Sequence, residues 1–245
     1  MTAPVFVVEH FDTDGGRYVL DGPEGRHAVS VKRLRAGEDV VLTDGAGRWA
    51  DCVVLDTEGK DRLILRLEPV REEPAEQPRV TVVQALPKGD RGELAVETMT
   101  EVGVDAIVPW AAARCITQWK GDRGAKALGK WRATAREAGK QSRRVRFPEV
   151  AEAATTRQVA SLLAGVEFAA VLHESGDAPL ATADLPATGE IVLVVGPEGG
   201  VAPEELALFE EAGAKAYRLG RSVLRTSTAG TAAAAVLLAR TGRWS

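Results

Sequence analysis

Three glycine-marked segments carry the residues best placed to hold a small molecule. In residues 191–206, IVLVVGPEGGVAPEEL, five consecutive apolar β-formers end in Gly196-Pro197-Glu198-Gly199-Gly200, and a helix is predicted to begin at Pro203. Glycines at a strand end let backbone amides and carbonyls reach a ligand with no Cβ in the way. The spacing matches neither GxGxxG nor GxxxxGK followed by Ser or Thr. Glu204 and Glu205 in the first helical turn also oppose a phosphate at that helix N-terminus. A neutral or cationic ligand is therefore expected, although the same glycines would also serve a plain strand-to-helix turn.

The second segment, LGRSVLRTSTA at 219–229, again follows a strand and opens a helix, with Thr226 or Ser227 available as its cap. That helix is crowded with small residues, and Gly230, a poor helix former, suggests that close approach outweighs propensity there. The third segment, LHESG at 172–176, offers His173 as a base or as a structural group beside a strand end.

These loops need elements to position them. From residue 79 onward, strands are predicted at 80–86, 105–110, 168–172, 191–195 and 215–219, and helices at 92–102, 126–141, 203–212 and 227–240. Strands separated by helices imply crossovers and a mostly parallel sheet covered on both faces, an α/β fold. The first seventy residues read instead as short strands with little helix, at 5–8, 40–43, 49–55 and 62–67, with a Gly/Asp turn at 44–47. That pattern predicts a small barrel or sandwich. The expected organisation is a domain at 1–72, a Pro-punctuated linker at 73–78 and a second domain at 79–245.

Composition removes several classes. The 45% hydrophobic, 27% charged chain of 245 residues is globular rather than disordered. The longest run near the C-terminus without a charged or strongly polar residue, 232–239, is far short of the roughly 20 residues a membrane helix needs. The N-terminus lacks a basic start and meets an acid by Glu9, so a cytoplasmic protein is expected. Cys52 and Cys115 are isolated, and the histidines are scattered, so neither a disulfide framework nor a metal site is expected. The net charge of -4 conceals a segment, 114–146, with eleven Lys/Arg and two acids. A second basic cluster comprises Arg26, His27, Lys32, Arg33 and Arg35. Two such islands on an otherwise acidic chain suggest surfaces that meet phosphates, though a charge run alone equally describes a solvated helix face.

Taken together, GPEGG after an apolar strand, LGRSVLRT before a small-residue helix, ETMTEVGVDAIVPWAAARC, WRATAREAGKQSRR and RHAVSVKRLRAGEDVVLTDGAGR resemble the RsmE family of ribosomal RNA methyltransferases, in the knotted SPOUT class. The resemblance spans nearly the whole chain. It implies an N-terminal PUA-like β-barrel, a C-terminal α/β domain with a deep trefoil knot, a homodimer, S-adenosylmethionine as methyl donor, and methylation of uridine N3 in the 16S rRNA of the small ribosomal subunit. Carried over residue by residue, Leu172, His173 and Glu174 would line one side of the cofactor pocket. Gly196, Pro197, Gly199 and Gly200 would bend under the ligand, and Leu219, Gly220, Ser222, Leu224 and Thr226 would close on adenine. Glu198, Glu204 and Glu205 would place acid near the sulfonium.

Arg225 is the expected electrostatic catalyst, and Glu198 or a water the expected proton acceptor. RNA contact is expected at Arg26, His27, Lys32, Arg33, Arg35, Lys88, Arg114, Lys130, Arg132, Arg136, Gln141, Arg143 and Arg144. The chain departs from the family at LRTSTA, where Ser227 replaces a common acid, and at Arg26-His27, where a His pair is common. Two other readings compete: a SPOUT methyltransferase acting on another RNA, such as a tRNA ribose hydroxyl, and a non-catalytic RNA-binding protein of ribosome assembly.

Overall fold

The computed structural model describes residues 3–12 and 16–244. It divides into two compact units, Met1–Ala75 with Gly139–Phe147, and Glu76–Ala138 with Pro148–Ser245.

In the first unit, β1 (Val5–Val7), β2 (Arg17–Leu20), β3 (Asp39–Thr43), β4 (Arg48–Glu58), β5 (Arg62–Leu67) and β6 (Arg71–Glu72) form one sheet. Its order is β1-β3-β4-β5-β2, with β6 also on β4. Only the β1–β3 pair is parallel. Strand β4 alternates as a half-buried strand should: Ala50, Cys52 and Val54 point inward with Phe6, Leu42, Leu63 and Leu65, while Asp51 and Leu55 are exposed. A register shift between Val54 and Asp56 marks a bulge that lets this long strand bend. Burial pushes the Cys52 thiol up to about 12.

Two expectations for this region need correcting. Residues 22–31 are helical, as α1 (Gly22–Arg26) and a π turn (His27–Val31), where little helix was expected. Only Gly25 and Ala28 are buried there, so no apolar periodicity announced the helix. Residues 139–147 also group with this unit rather than with the C-terminal domain. Phe147 N–H donates to Gly45 O (2.8 Å), Thr43 Oγ1 donates to Val145 O (2.7 Å), and the buried Lys140 ammonium lies 2.9 Å from Glu24. Lys140, read as part of a phosphate-meeting surface, is thus committed to an internal ion pair.

The second unit contains β7 (Arg79–Ala85), α2 (Arg91–Val102), β8 (Ala106–Trp110), most of α3 (Gly121–Gln141), β9 (Glu149–Val150), α4 (Thr156–Leu163) and β10 (Phe168–Leu172). It continues through β11 (Ala178–Pro179), β12 (Glu190–Val195), α5 (Pro203–Glu211), β13 (Lys215–Arg218) and α6 (Thr226–Arg240). The seven strands run in the order β11-β13-β10-β12-β7-β8-β9, with every pairing parallel. Successive residues Val80, Thr81, Val82 and Val83 of β7 are all buried, so both faces of the sheet are covered. Helices α2 and α6 pack together, and α6 lies on β7 and β12. A Cβ at Gly230 would sit 2.8 Å from Met99 Sδ, which explains the glycine in an otherwise Ala-rich helix. Helix α4, absent from the sequence expectation, begins at a capping box formed by Thr155 and Gln158.

Arg243 ties the C-terminal segment to the amino ends of β7 and β8. It donates to both Asp105 oxygens (2.5 and 3.1 Å), to Glu76 (2.7 Å) and to the carbonyls of Pro78 and Gly103.

Candidate active site

Because the sheet is wholly parallel, the carboxyl ends of β13, β10, β12 and β7 lie side by side along one edge. The segments leaving them, 172–174, 196–201, 219–226 and 88–91, enclose a cavity of about 890 Å³ together with Arg114. That volume is near the upper end of small-molecule sites, about 300–1,000 Å³. It also lies where open α/β sheets bind ligands.

In the first loop, His173 N–H donates to Tyr217 O across the strand ends (3.0 Å). The Ser175 backbone N–H lies 3.2 Å from His173 Nδ1, and Ser175 Oγ lies 2.7 Å from it. A backbone N–H can only donate, so Nδ1 is the acceptor in this turn.

The glycine-rich loop is clamped from both sides. Gly200, at φ 73°, donates its N–H to Pro197 O (2.9 Å), closing a turn that a side chain would strain. Arg114 Nη1 donates to Gly199 O (3.0 Å), and Lys88 N–H donates to Glu198 Oε1 (3.1 Å).

The third loop, 219–225, is irregular and ends at Arg225, which is the N-cap of α6. This corrects the expectation that Thr226 or Ser227 caps the helix. Arg225 O receives the N–H groups of Thr228 and Ala229 (2.9 Å each), while Gln84 Nε2 holds Thr226 O (3.2 Å). The Ser227 hydroxyl is buried without a partner among the described residues. The Arg225 side chain is exposed at the cavity wall.

The electrostatics reverse the expectation of an acidic surrounding. Glu205 is buried and turned away, its Oε1 accepting from Ala113 N–H and Thr156 Oγ1 (2.8 Å each) and its Oε2 from Ala202 N–H (3.2 Å). It pins the segment bearing Arg114 to α4 and to the start of α5. Glu204 does not line the cavity. Six cations, Lys88, Arg91, Arg114, Arg218, Arg221 and Arg225, converge on the wall against only Glu174 and Glu198.

Every residue expected at the cofactor pocket lines this cavity, as do Arg225, Glu198, Lys88 and Arg114. Arg91, Arg218 and Arg221 are not among the expected site residues, although Arg218 and Arg221 flank Gly220 and Arg91 stands two residues after Gly89. Lys130 lies 4.0 Å from Glu93, and Arg132 is engaged by Val150 O and Glu152. Arg136 is exposed on α3. On the other unit, His27 packs edge-on against Phe6 (5.9 Å), and Arg26, Lys32, Arg33, Arg35, Gln141 and Arg143 are exposed, with Arg144 half-buried.

The family model described as "RNA methyltransferase domain" matches residues 74–238, and "RNA methyltransferase PUA domain" matches 20–68. The chain is 45% identical to the ribosomal RNA small subunit methyltransferase E of Mycobacterium bovis, over 100% of this chain and 94% of that protein. It is 29% identical to the Bacillus subtilis protein of the same name, over 86% of each. Among solved structures, ribosomal RNA small subunit methyltransferase E from Neisseria gonorrhoeae bound to S-adenosylmethionine matches with a TM-score of 0.83 at 29% identity, covering 98% of each chain. A Legionella pneumophila methyltransferase in complex with the same cofactor matches with a TM-score of 0.86 at 27% identity, again over 98% of each.

Proposed function

The chain belongs to the ribosomal RNA small subunit methyltransferase E family and is an S-adenosylmethionine-dependent methyltransferase of small-subunit ribosomal RNA; from that premise we propose that it methylates N3 of a uridine. The observation that carries this proposal is a crevice walled by three backbone loops and joined to a strongly cationic surface holding one anchored carboxylate, Glu198.

The residues present suit the methyl donor. Leu219, Gly220, Ser222, Leu224 and Thr226 offer main-chain donors and acceptors to adenine, as a nucleobase edge requires. Gly196, Pro197, Gly199 and Gly200 leave the floor nearly free of side-chain bulk, and Leu172, His173 and Glu174 form the third side. The volume leaves room for a pyrimidine beside the cofactor. When bound, S-adenosylmethionine supplies an electrophilic methyl group, transferred as its S–C bond breaks and a C–N bond forms.

The chain's own residues supply the rest. Arg225 stabilises the negative charge that develops on the uracil oxygens as N3 gives up its proton. Glu198, presented by the Lys88 amide, accepts that proton directly or through one water. The cationic wall stabilises an ionised imide, whose charge spreads onto the two flanking carbonyls. Alignment of the base supplies much of the remaining acceleration.

Lys88 and Arg114 at the mouth, the α3 cations, and the cluster on the N-terminal unit meet RNA phosphates in this reading. It includes a cytoplasmic homodimer. The partly exposed small residues Ala232 and Ala235 and exposed Ala239 on α6 support close approach of a second copy. It also includes the trefoil knot. Strand β13 lies beyond β10, yet α6 returns over β12 and β7, so the 219–225 segment must cross the strand ends between them.

Small subunits from a strain lacking the gene, incubated with the enzyme and methyl-labelled S-adenosylmethionine, should yield labelled N3-methyluridine on nucleoside mass spectrometry. Label in a ribose-methylated nucleoside would replace the acceptor atom. No label would leave only the RNA-binding reading.

A further inference from the structure

None of the six cations of the cavity wall has an ion-pair partner among the described residues. Arg114 and Arg218 donate only to the carbonyls of Gly199 and Asp177. The wall therefore carries a surplus of four positive charges over Glu174 and Glu198. A sphere of 890 Å³ has a radius of about 6 Å. That is shorter than the Debye length of about 8 Å at physiological salt, so these charges act on whatever occupies the cavity.

Such a field separates the methyl donor from its product. In S-adenosylmethionine the ammonium and carboxylate cancel, and the sulfonium leaves a net positive charge. In S-adenosylhomocysteine the sulfur is a neutral thioether and the net charge is zero. The two ligands offer otherwise nearly the same groups to the protein.

We infer that the RNA-free site favours the product over the methyl donor, and that RNA phosphates, by neutralising the cationic wall, raise the affinity for the donor alone. RNA and methyl donor then bind with positive coupling, while RNA and product do not. This inference rests on the cofactor and RNA substrate proposed above and adds their mutual regulation. By linkage, the donor raises RNA affinity by the same factor. Methyl transfer abolishes the sulfonium charge and with it the coupling, so the modified RNA loses a reason to stay as soon as the reaction is over. Four uncompensated charges at several ångströms in a partly screened, water-filled site amount to a preference of about tenfold.

Isothermal titration calorimetry of the full chain with each ligand, at about 50 and about 500 mM salt, reads this preference directly. A repeat with a short uridine-containing RNA oligonucleotide present reads the coupling. The expected result is about a tenfold preference for S-adenosylhomocysteine at low salt, falling toward parity at high salt, with RNA strengthening only the donor. The double variant Arg91→Gln, Arg221→Gln should bind the donor about threefold more tightly, leave the product unchanged, and show a smaller RNA effect. Far-UV circular dichroism melts confirm that the variant is folded. Donor affinity equal to or above that of the product at low salt, or a variant that weakens the donor, overturns the inference while leaving the cofactor assignment standing. Failure of both ligands to bind overturns the cofactor assignment itself, and this inference with it.

Discussion

The backbone N–H of Lys88 donates to Glu198 Oε1 across 3.1 Å, so the single carboxylate of the glycine-rich loop is anchored by the segment that follows a neighbouring strand. An amide oxygen accepts the same bond but takes no proton. Glu198→Gln is therefore expected to lower kcat by about 10² or more, with cofactor affinity within about twofold of the parent. A kcat close to that of the parent would place the proton acceptor elsewhere.

Arg225 combines a backbone duty as the N-cap of α6 with a side chain exposed at the cavity wall. Substitution by Ala keeps the backbone duty. Arg225→Ala should reduce kcat by about 10²–10³, the usual effect of removing one donor to developing negative charge, while melting temperature and cofactor affinity stay near the parent values. Single-turnover methyl transfer measured beside calorimetry separates the two effects, and an unimpaired transfer rate would remove Arg225 from the chemistry.

Glu205 accepts three hydrogen bonds while buried, and none of its partners lines the cavity. Glu205→Gln sets an NH₂ group against at least one of those donors. Urea unfolding should show a loss of about 1–3 kcal/mol. Cofactor binding should weaken as well, because Arg114 and its bond to Gly199 ride on the segment that Glu205 holds.

Removing the guanidinium of Arg243 leaves Asp105 largely buried without its countercharge. The expected cost for Arg243→Ala is about 3–5 kcal/mol. The site is at the amino ends of β7 and β8 while the cavity is at the carboxyl ends, so the folded fraction should bind the cofactor normally.

The Cys52 thiol, pushed up to about 12 by burial from an ordinary 9.0, makes stability depend on pH in a definite direction. An unfolded chain ionises this thiol first, so the folded state holds the proton longer. The stabilising contribution is complete below pH 9 and is lost as pH rises toward 12. Melting temperatures at about pH 8 and about pH 10.5 should fall further for the parent than for Cys52→Ala; equal declines would contradict the assignment.

Most of the α/β unit was legible because long apolar runs such as 191–195 must be buried on both faces and end where glycines begin. The residues that line the cavity were legible from the glycine-marked turns and the family resemblance. The two-residue strands β9 and β11 are too short for any periodicity, and α1 has almost no buried face. The destination of residues 139–147 depended on bonds such as Thr43 Oγ1 to Val145 O, between residues 102 positions apart. The sign of the cavity's charge was misjudged because Glu205 lies beside the glycines in sequence and yet turns inward.

The most direct test is a crystal structure with S-adenosylmethionine at saturating concentration. The account predicts adenine against the main chain of 219–226, the sulfonium within the crevice above 196–200, and the methyl group aimed at the open space beside Arg225. Density for the cofactor at another place, or a crevice without it, would contradict the account.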